Sequence, residues 1–120
     1  MSRLGSLGLS TRHDAYVTPS VFPGCFANGL PASEGVVLAV TQRPLATSTF
    51  TDPSGVPAWQ TIPSWDIIGM NDRIITPAEQ LFMADRAGAR ITEIKAPHLS
   101  MISDPEAVAS VIIQAAQATG

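Results

Sequence analysis

From Ser64 onward the chain reads as strand, helix, strand, helix, and this order restricts the possible folds more than any other feature of the chain. Ser64-Trp65-Asp66-Ile67-Ile68 is short and mostly apolar and closes at Gly69. Pro63 stands at its first position, where a missing N–H is tolerated. Thr76-Pro77-Ala78-Glu79 has the spacing of a capping box with Pro at the first helical position, so a helix starts there. Gly88 suits the C-terminal glycine that ends it. Ala78, Leu81 and Phe82 are expected on its apolar face, with Asp85 interrupting the stripe. Arg90-Ile91-Thr92-Glu93-Ile94 is β-branched and strand-like. Ser103-Asp104-Pro105-Glu106 opens a last helix, whose Val108, Val111, Ile112 and Ala115 recur at helical spacing. A crossover helix between two strands makes them parallel, joined right-handedly, in an α/β sheet.

Upstream the signals are weaker. Residues 1–20 are rich in Gly, Ser and Thr without periodicity and are expected as a poorly ordered lead-in. Residues 21–58 are expected to be helical and looped. Pro23-Gly24 marks a turn, and a helix starting at Pro31 presents Val36, Val37, Leu38 and Val40 before Pro44 ends it. Gly35 is unfavourable inside that helix. Residues 51–58 form a loop around Pro53, Gly55 and Pro57.

Composition excludes some classes of function. The 120 residues are 45% hydrophobic and 14% charged, which supports a packed core rather than disorder. The net charge is −3 and no basic cluster occurs, so nucleic acid is not expected as a partner. No apolar run reaches the length of about 20 residues that a membrane span needs. Met1 to Ser10 does not read as a secretory signal, and Cys25 is the single cysteine, so the cytoplasm is the expected location. No cofactor or metal is expected, since His13 and His98 form no ligand pattern.

In open α/β sheets the functional groups gather in loops at the carboxyl ends of the strands. Asp72 follows the first strand and His98 the second, so both loops leave the same edge. There an aspartate can accept the imidazole N–H, and the histidine can serve as general base toward a hydroxyl. The same residues have structural readings: Asp72 as a turn former or partner of Arg73, and His98 as a surface residue.

Several segments resemble small bacterial α/β-hydrolases of the esterase type. Residues 57–65 (PAWQTIPSW) are similar to that family's lead into the strand before its catalytic acid, and Asn71-Asp72-Arg73-Ile74-Ile75 resembles its acid loop. Residues 79–89 look like the helix that follows, and residues 98–108 (HLSMISDPEAV) like the histidine loop and the start of the last helix. Phe26-Ala27-Asn28-Gly29-Leu30-Pro31 and Thr41-Gln42-Arg43-Pro44-Leu45 resemble parts of a helical cap. The resemblance implies a cap remnant over 21–58 and the C-terminal half of the hydrolase sheet over 59–120. It also implies a small-molecule ester substrate, Asp72 as the acid and His98 as the base.

The family's nucleophile sits on a G-x-S-x-G elbow. No such pentapeptide occurs here; Leu4-Gly5-Ser6-Leu7-Gly8 is the nearest, and Ser100 is in a loop of the wrong kind. The chain is therefore expected to be catalytically incomplete alone. Three positions depart from the family pattern: Asp66 is a carboxylate within a strand, Pro97 is expected to tilt the imidazole, and Gly29 stands where the cap would have an acidic residue. Alternative readings are an interaction module that self-associates through an exposed sheet edge, and half of a split enzyme.

Overall fold

In the computed structural model, residues 2–3 and 12–120 are described. The C-terminal half follows the expected order. Strand β4 (Trp65–Gly69) lies parallel to β5 (Arg90–Ile94), in register from Trp65 opposite Arg90 to Gly69 opposite Ile94. Helix α3 (Pro77–Arg86) connects them. The short α4 (Ser100–Ser103) and the long α5 (Pro105–Thr119) follow. No helix among the described residues is long and apolar enough to cross a membrane.

The helix ends obey their local chemistry. Thr76 Oγ1 accepts from Glu79 N at 3.3 Å at the start of α3, and Asp104 Oδ1 accepts from Ala107 N at 3.1 Å at the start of α5. At the end of α3, Gly88 adopts φ +62°, while Gly88 N bonds Asp85 O and Ala89 N bonds Ala84 O. That pair of bonds is a Schellman motif, which requires a residue that tolerates positive φ.

The buried faces differ from the expected stripes. On α3, Ala84 is buried and Gln80 and Leu81 half-buried, whereas Ala78 and Phe82 are exposed. The helix is rotated so that Gln80 faces the sheet, and its amide bonds there. On α5, Val111 is buried and Val108 and Ala115 half-buried, but Ile112 is exposed. A sheet of two strands is too narrow to cover the whole apolar stripe of a helix.

The N-terminal half contains more order than its composition suggests. Within the stretch expected as a lead-in, Arg12–Ala15 forms strand β2, antiparallel to β1 (Ser2–Arg3) and to β3 (Leu45–Ala46). Four residues pairing with distant partners produce no local periodicity, so the sequence carries no sign of them. Helices α1 (Phe22–Cys25) and α2 (Ala32–Val40) pack together. Pro31 is the N-cap of α2 rather than its first residue. The packing face of α2 is made of small residues, Gly35 and Ala39, while Val36, Val37 and Val40 are exposed. A Cβ on Gly35 would lie 3.0 Å from Pro23 Cβ, which is the reason a glycine is tolerated inside this helix. Phe22, Ala27 and Ala39 form the core of this half, with Val17, Phe26, Leu30, Leu38 and Leu99 against it. Leu99 ties the histidine loop to that core.

Candidate functional site

Parallel pairing of β4 and β5 places the loops after both strands at one edge. Met70 N donates to Ile94 O at 2.8 Å and Asn71 N to Ala96 O at 3.1 Å, so the pairing continues into the loops. Gly69 makes this approach possible, since a Cβ there would lie 2.8 Å from Ala96 O and 2.9 Å from Pro97 O. The backbone before His98 thus rests directly on the end of β4.

The two residues singled out from the sequence meet. His98 Nδ1 lies 2.9 Å from Asp72 Oδ2. Asp72 is buried, with 5% of its side chain exposed, and His98 is 29% exposed. Asp72 Oδ1 accepts from Ile74 N at 2.7 Å and Ile75 N at 3.1 Å, and Oδ2 accepts from Gln80 Nε2 at 2.9 Å. Burial pushes the carboxyl up, but the bonds from Ile74, His98 and Ile75 outweigh it and hold the group below its ordinary 3.8. The carboxylate is therefore ionised and accepts only, which puts the proton on Nδ1 and leaves Nε2 of a neutral imidazole with its lone pair free. Among the described residues Nε2 has no protein partner.

Gln80, which no local sequence signal marks, braces Asp72. Its Nε2 also donates to Ile75 O at 2.6 Å, and its Oε1 accepts from Gly69 N at 3.3 Å. These partners fix the amide orientation and lock the acid loop to the strand end. A polar residue on the inward face of α3, beside Leu81 and Ala84, is a sign that appears only once the packing is known. The cap-like segment adds two clamps: Asn28 Nδ2 donates to Asn71 O at 2.8 Å, and Arg73 Nη1 to Gly24 O at 3.2 Å. Arg73 thus bonds a backbone carbonyl instead of Asp72. Phe26 and the imidazole meet in a T-shaped pair, with centroids 4.8 Å apart, and Phe26 stacks on Phe22 at 5.1 Å.

His98 lines a cavity of about 250 Å³ together with Asp66, Gly69, Gln80 and Ser100. Burial raises the Asp66 carboxyl above 3.8, partly offset by a backbone bond at Ile67. Ser100 makes no hydrogen bond to His98 among the described residues. Pro97 is buried, and the imidazole behind it still reaches Asp72. Gly29 adopts φ +89°, a conformation that an acidic residue would rarely adopt. Ser6 lies outside the described residues. No group of three or more His, Cys, Asp or Glu among the described residues could hold a metal ion.

An ionised carboxylate on Nδ1 with an open Nε2 can fix the tautomer of an imidazole and stabilise its protonated form, as a general base requires. In comparison with known proteins, the model of the alpha/beta hydrolase family matches residues 2–111. No curated protein matches the chain.

Proposed function

The chain belongs to the alpha/beta hydrolase family, and we propose that it is an ester-hydrolase-type member in which Asp72 is the acid and His98 the base of a Ser-His-Asp triad. The observation that carries this reading is the 2.9 Å contact between His98 Nδ1 and Asp72 Oδ2, with His98 lining a cavity and its Nε2 without a partner among the described residues. In this role Nε2 takes the proton of an attacking hydroxyl, and Asp72 stabilises the imidazolium that forms. The ester class rests on the resemblance of residues 57–65, 71–75 and 98–108 to esterase-type hydrolases. The substrate is a small molecule, and the lone Cys25 favours a cytoplasmic setting.

The 120 residues contain no G-x-S-x-G, so the chain on its own supplies acid and base without the nucleophile. Purified chain and His98→Ala are compared on a small activated ester. Equal background rates in folded protein are expected. Hydrolysis lost in the variant would mean that the chain, or a dimer of it, supplies a nucleophile, and would overturn the incomplete-triad reading.

A second reading is supported by the sheet. Among the described residues β4 and β5 pair only with each other, and exposed Ile112 borders a groove with Trp65, Ile67 and Val111. Such an edge can take up a further strand, from a second copy or from a chain carrying the nucleophile. Sedimentation at micromolar concentration tests self-association: a defined oligomer supports it, and a monomer rules it out.

A further inference from the structure

Phe26 connects the His98 site to a second cavity. That cavity has a volume of about 380 Å³ and lies between β2, β3 and the residues leading into and out of the cap-like helices. Its volume is within the range of small-molecule sites. The walls are apolar, built from Val17, Phe26, Leu45, Tyr16 and Phe50. The last two are 54% and 72% exposed, so aromatic surface stands open to solvent at the cavity mouth.

Two polar side chains besides the Tyr16 hydroxyl line the cavity, and they are not equivalent. Gln42 is fully engaged: its Oε1 accepts from Val17 N at 2.9 Å, and its Nε2 donates to Val17 O at 2.8 Å and Ala39 O at 2.9 Å. It acts as a backbone brace and has little left to offer a ligand. Arg43 forms no ion pair or side-chain hydrogen bond among the described residues. A guanidinium without a partner among the described residues, beside an apolar hollow, complements a molecule with an apolar body and an anionic end.

We propose that this cavity binds a small amphipathic carboxylate, with its aryl or short alkyl body against Tyr16, Leu45 and Phe50 and its carboxylate on Arg43. The head group is a carboxylate because ester hydrolysis yields one, and to that extent the proposal rests on the reading above. Phe26 forms one wall and also abuts the imidazole, so occupancy is communicated to His98.

Binding is measured by NMR titration of the full chain with 4-phenylbutyrate and with the uncharged 4-phenylbutanol, which needs no turnover. Saturable carboxylate binding is expected, with shifts at Tyr16, Phe50 and the His98 ring. Arg43→Gln should weaken the carboxylate by about fivefold, the size of one exposed charge pair, and leave the alcohol unchanged. The alcohol should bind more weakly than the carboxylate in the parent chain. No saturable binding by either compound, equal binding of both, or carboxylate binding unaffected by Arg43→Gln overturns the proposal. A constant diffusion coefficient during the titration is also expected; ligand-independent dimerisation through the same residues would make the cavity an interface instead. None of these results depends on a nucleophile. A failed titration therefore leaves the acid–base reading intact, and a failed acid–base reading leaves the titration interpretable.

Discussion

Replacing Asp72 by Asn tests the candidate site most directly, because the side chain changes by one atom and the consequence can be counted. The carboxylate accepts from Ile74 N, Ile75 N, Gln80 Nε2 and His98 Nδ1. An amide has a single acceptor atom. With the amide oxygen on Ile74 and Ile75, the new Nδ2 faces Gln80 Nε2 and His98. The opposite orientation turns a donor toward two backbone donors and is worse. Gln80 cannot relieve the clash by flipping, since its Oε1 serves Gly69 N and its Nε2 serves Ile75 O. His98 can respond only by moving its proton to Nε2, so that Nδ1 accepts from the amide.

The cost has two parts. One donor of Gln80 is left without an acceptor in a part-buried place, roughly 1–3 kcal/mol. Bonds to a charged carboxylate, at about 1.5–3 kcal/mol each, are replaced by bonds of about 1 kcal/mol. Offset in part by relief from burying a charge, these losses leave Asp72→Asn destabilised by about 2–4 kcal/mol at neutral pH, a drop in Tm on the order of 10 °C. Urea unfolding gives the free energy, and imidazole nitrogen and carbon shifts give the tautomer, with His98→Ala separating His98 from His13. A variant within about 0.5 kcal/mol of the parent that keeps its proton on Nδ1 would refute the assignment of the acceptor network.

Other substitutions probe the same frame. Gly69→Ala drives a Cβ to 2.8 Å from Ala96 O, so a loss of about 1–3 kcal/mol is expected, with the His98 resonances displaced; unfolding and NMR check both. The carboxyls of Asp66 and Asp72 give opposite pH dependences. The folded value of Asp72 lies below 3.8, so its contribution is present above that pH and lost as pH falls through the lower folded value. The folded value of Asp66 lies above 3.8, so its ionisation removes stability as pH rises through that window. Asp66→Asn is therefore expected to be more stable than the parent at neutral pH and equal to it below about pH 3, where both forms are neutral. Urea midpoints at both pH values check the sign.

The C-terminal half was legible because its information is local. Capping residues Thr76 and Asp104, the stop at Gly88 and β-branched Arg90–Ile94 each state their own structure within a few positions. Asp72 and His98 stood out because parallel strands bring two successive loops to one edge. What escaped was the part decided by distant partners. β2 exists because residues 45–46 lie beside it, and the packing face of α2 is set by Pro23 against Gly35. Gln80 carries no local mark in the sequence, because its role depends on a carboxylate eight positions away and a strand end eleven positions away.

The same division between local and distant contacts predicts how the site responds to losing its contacts with residues 24–28. Asp72 is held mainly by its own loop and α3, through Ile74, Ile75 and Gln80, whereas Gly24 and Asn28 touch the neighbours Arg73 and Asn71. Asn28→Ala removes a single bond to the Asn71 carbonyl and should cost about 0.5–1.5 kcal/mol. Amide exchange should quicken across residues 24–30 and at the Asn71 end of the acid loop. The Ile74 and Ile75 amides should keep their protection, and His98 should keep its proton on Nδ1. If the contacts from residues 24–30 instead hold Asp72 in place, the Ile74 and Ile75 amides will exchange freely in Asn28→Ala and the imidazole will lose its tautomer preference. The Asp72–His98 pair would then require residues 24–30, and the strand–helix–strand unit alone could not be credited with assembling it.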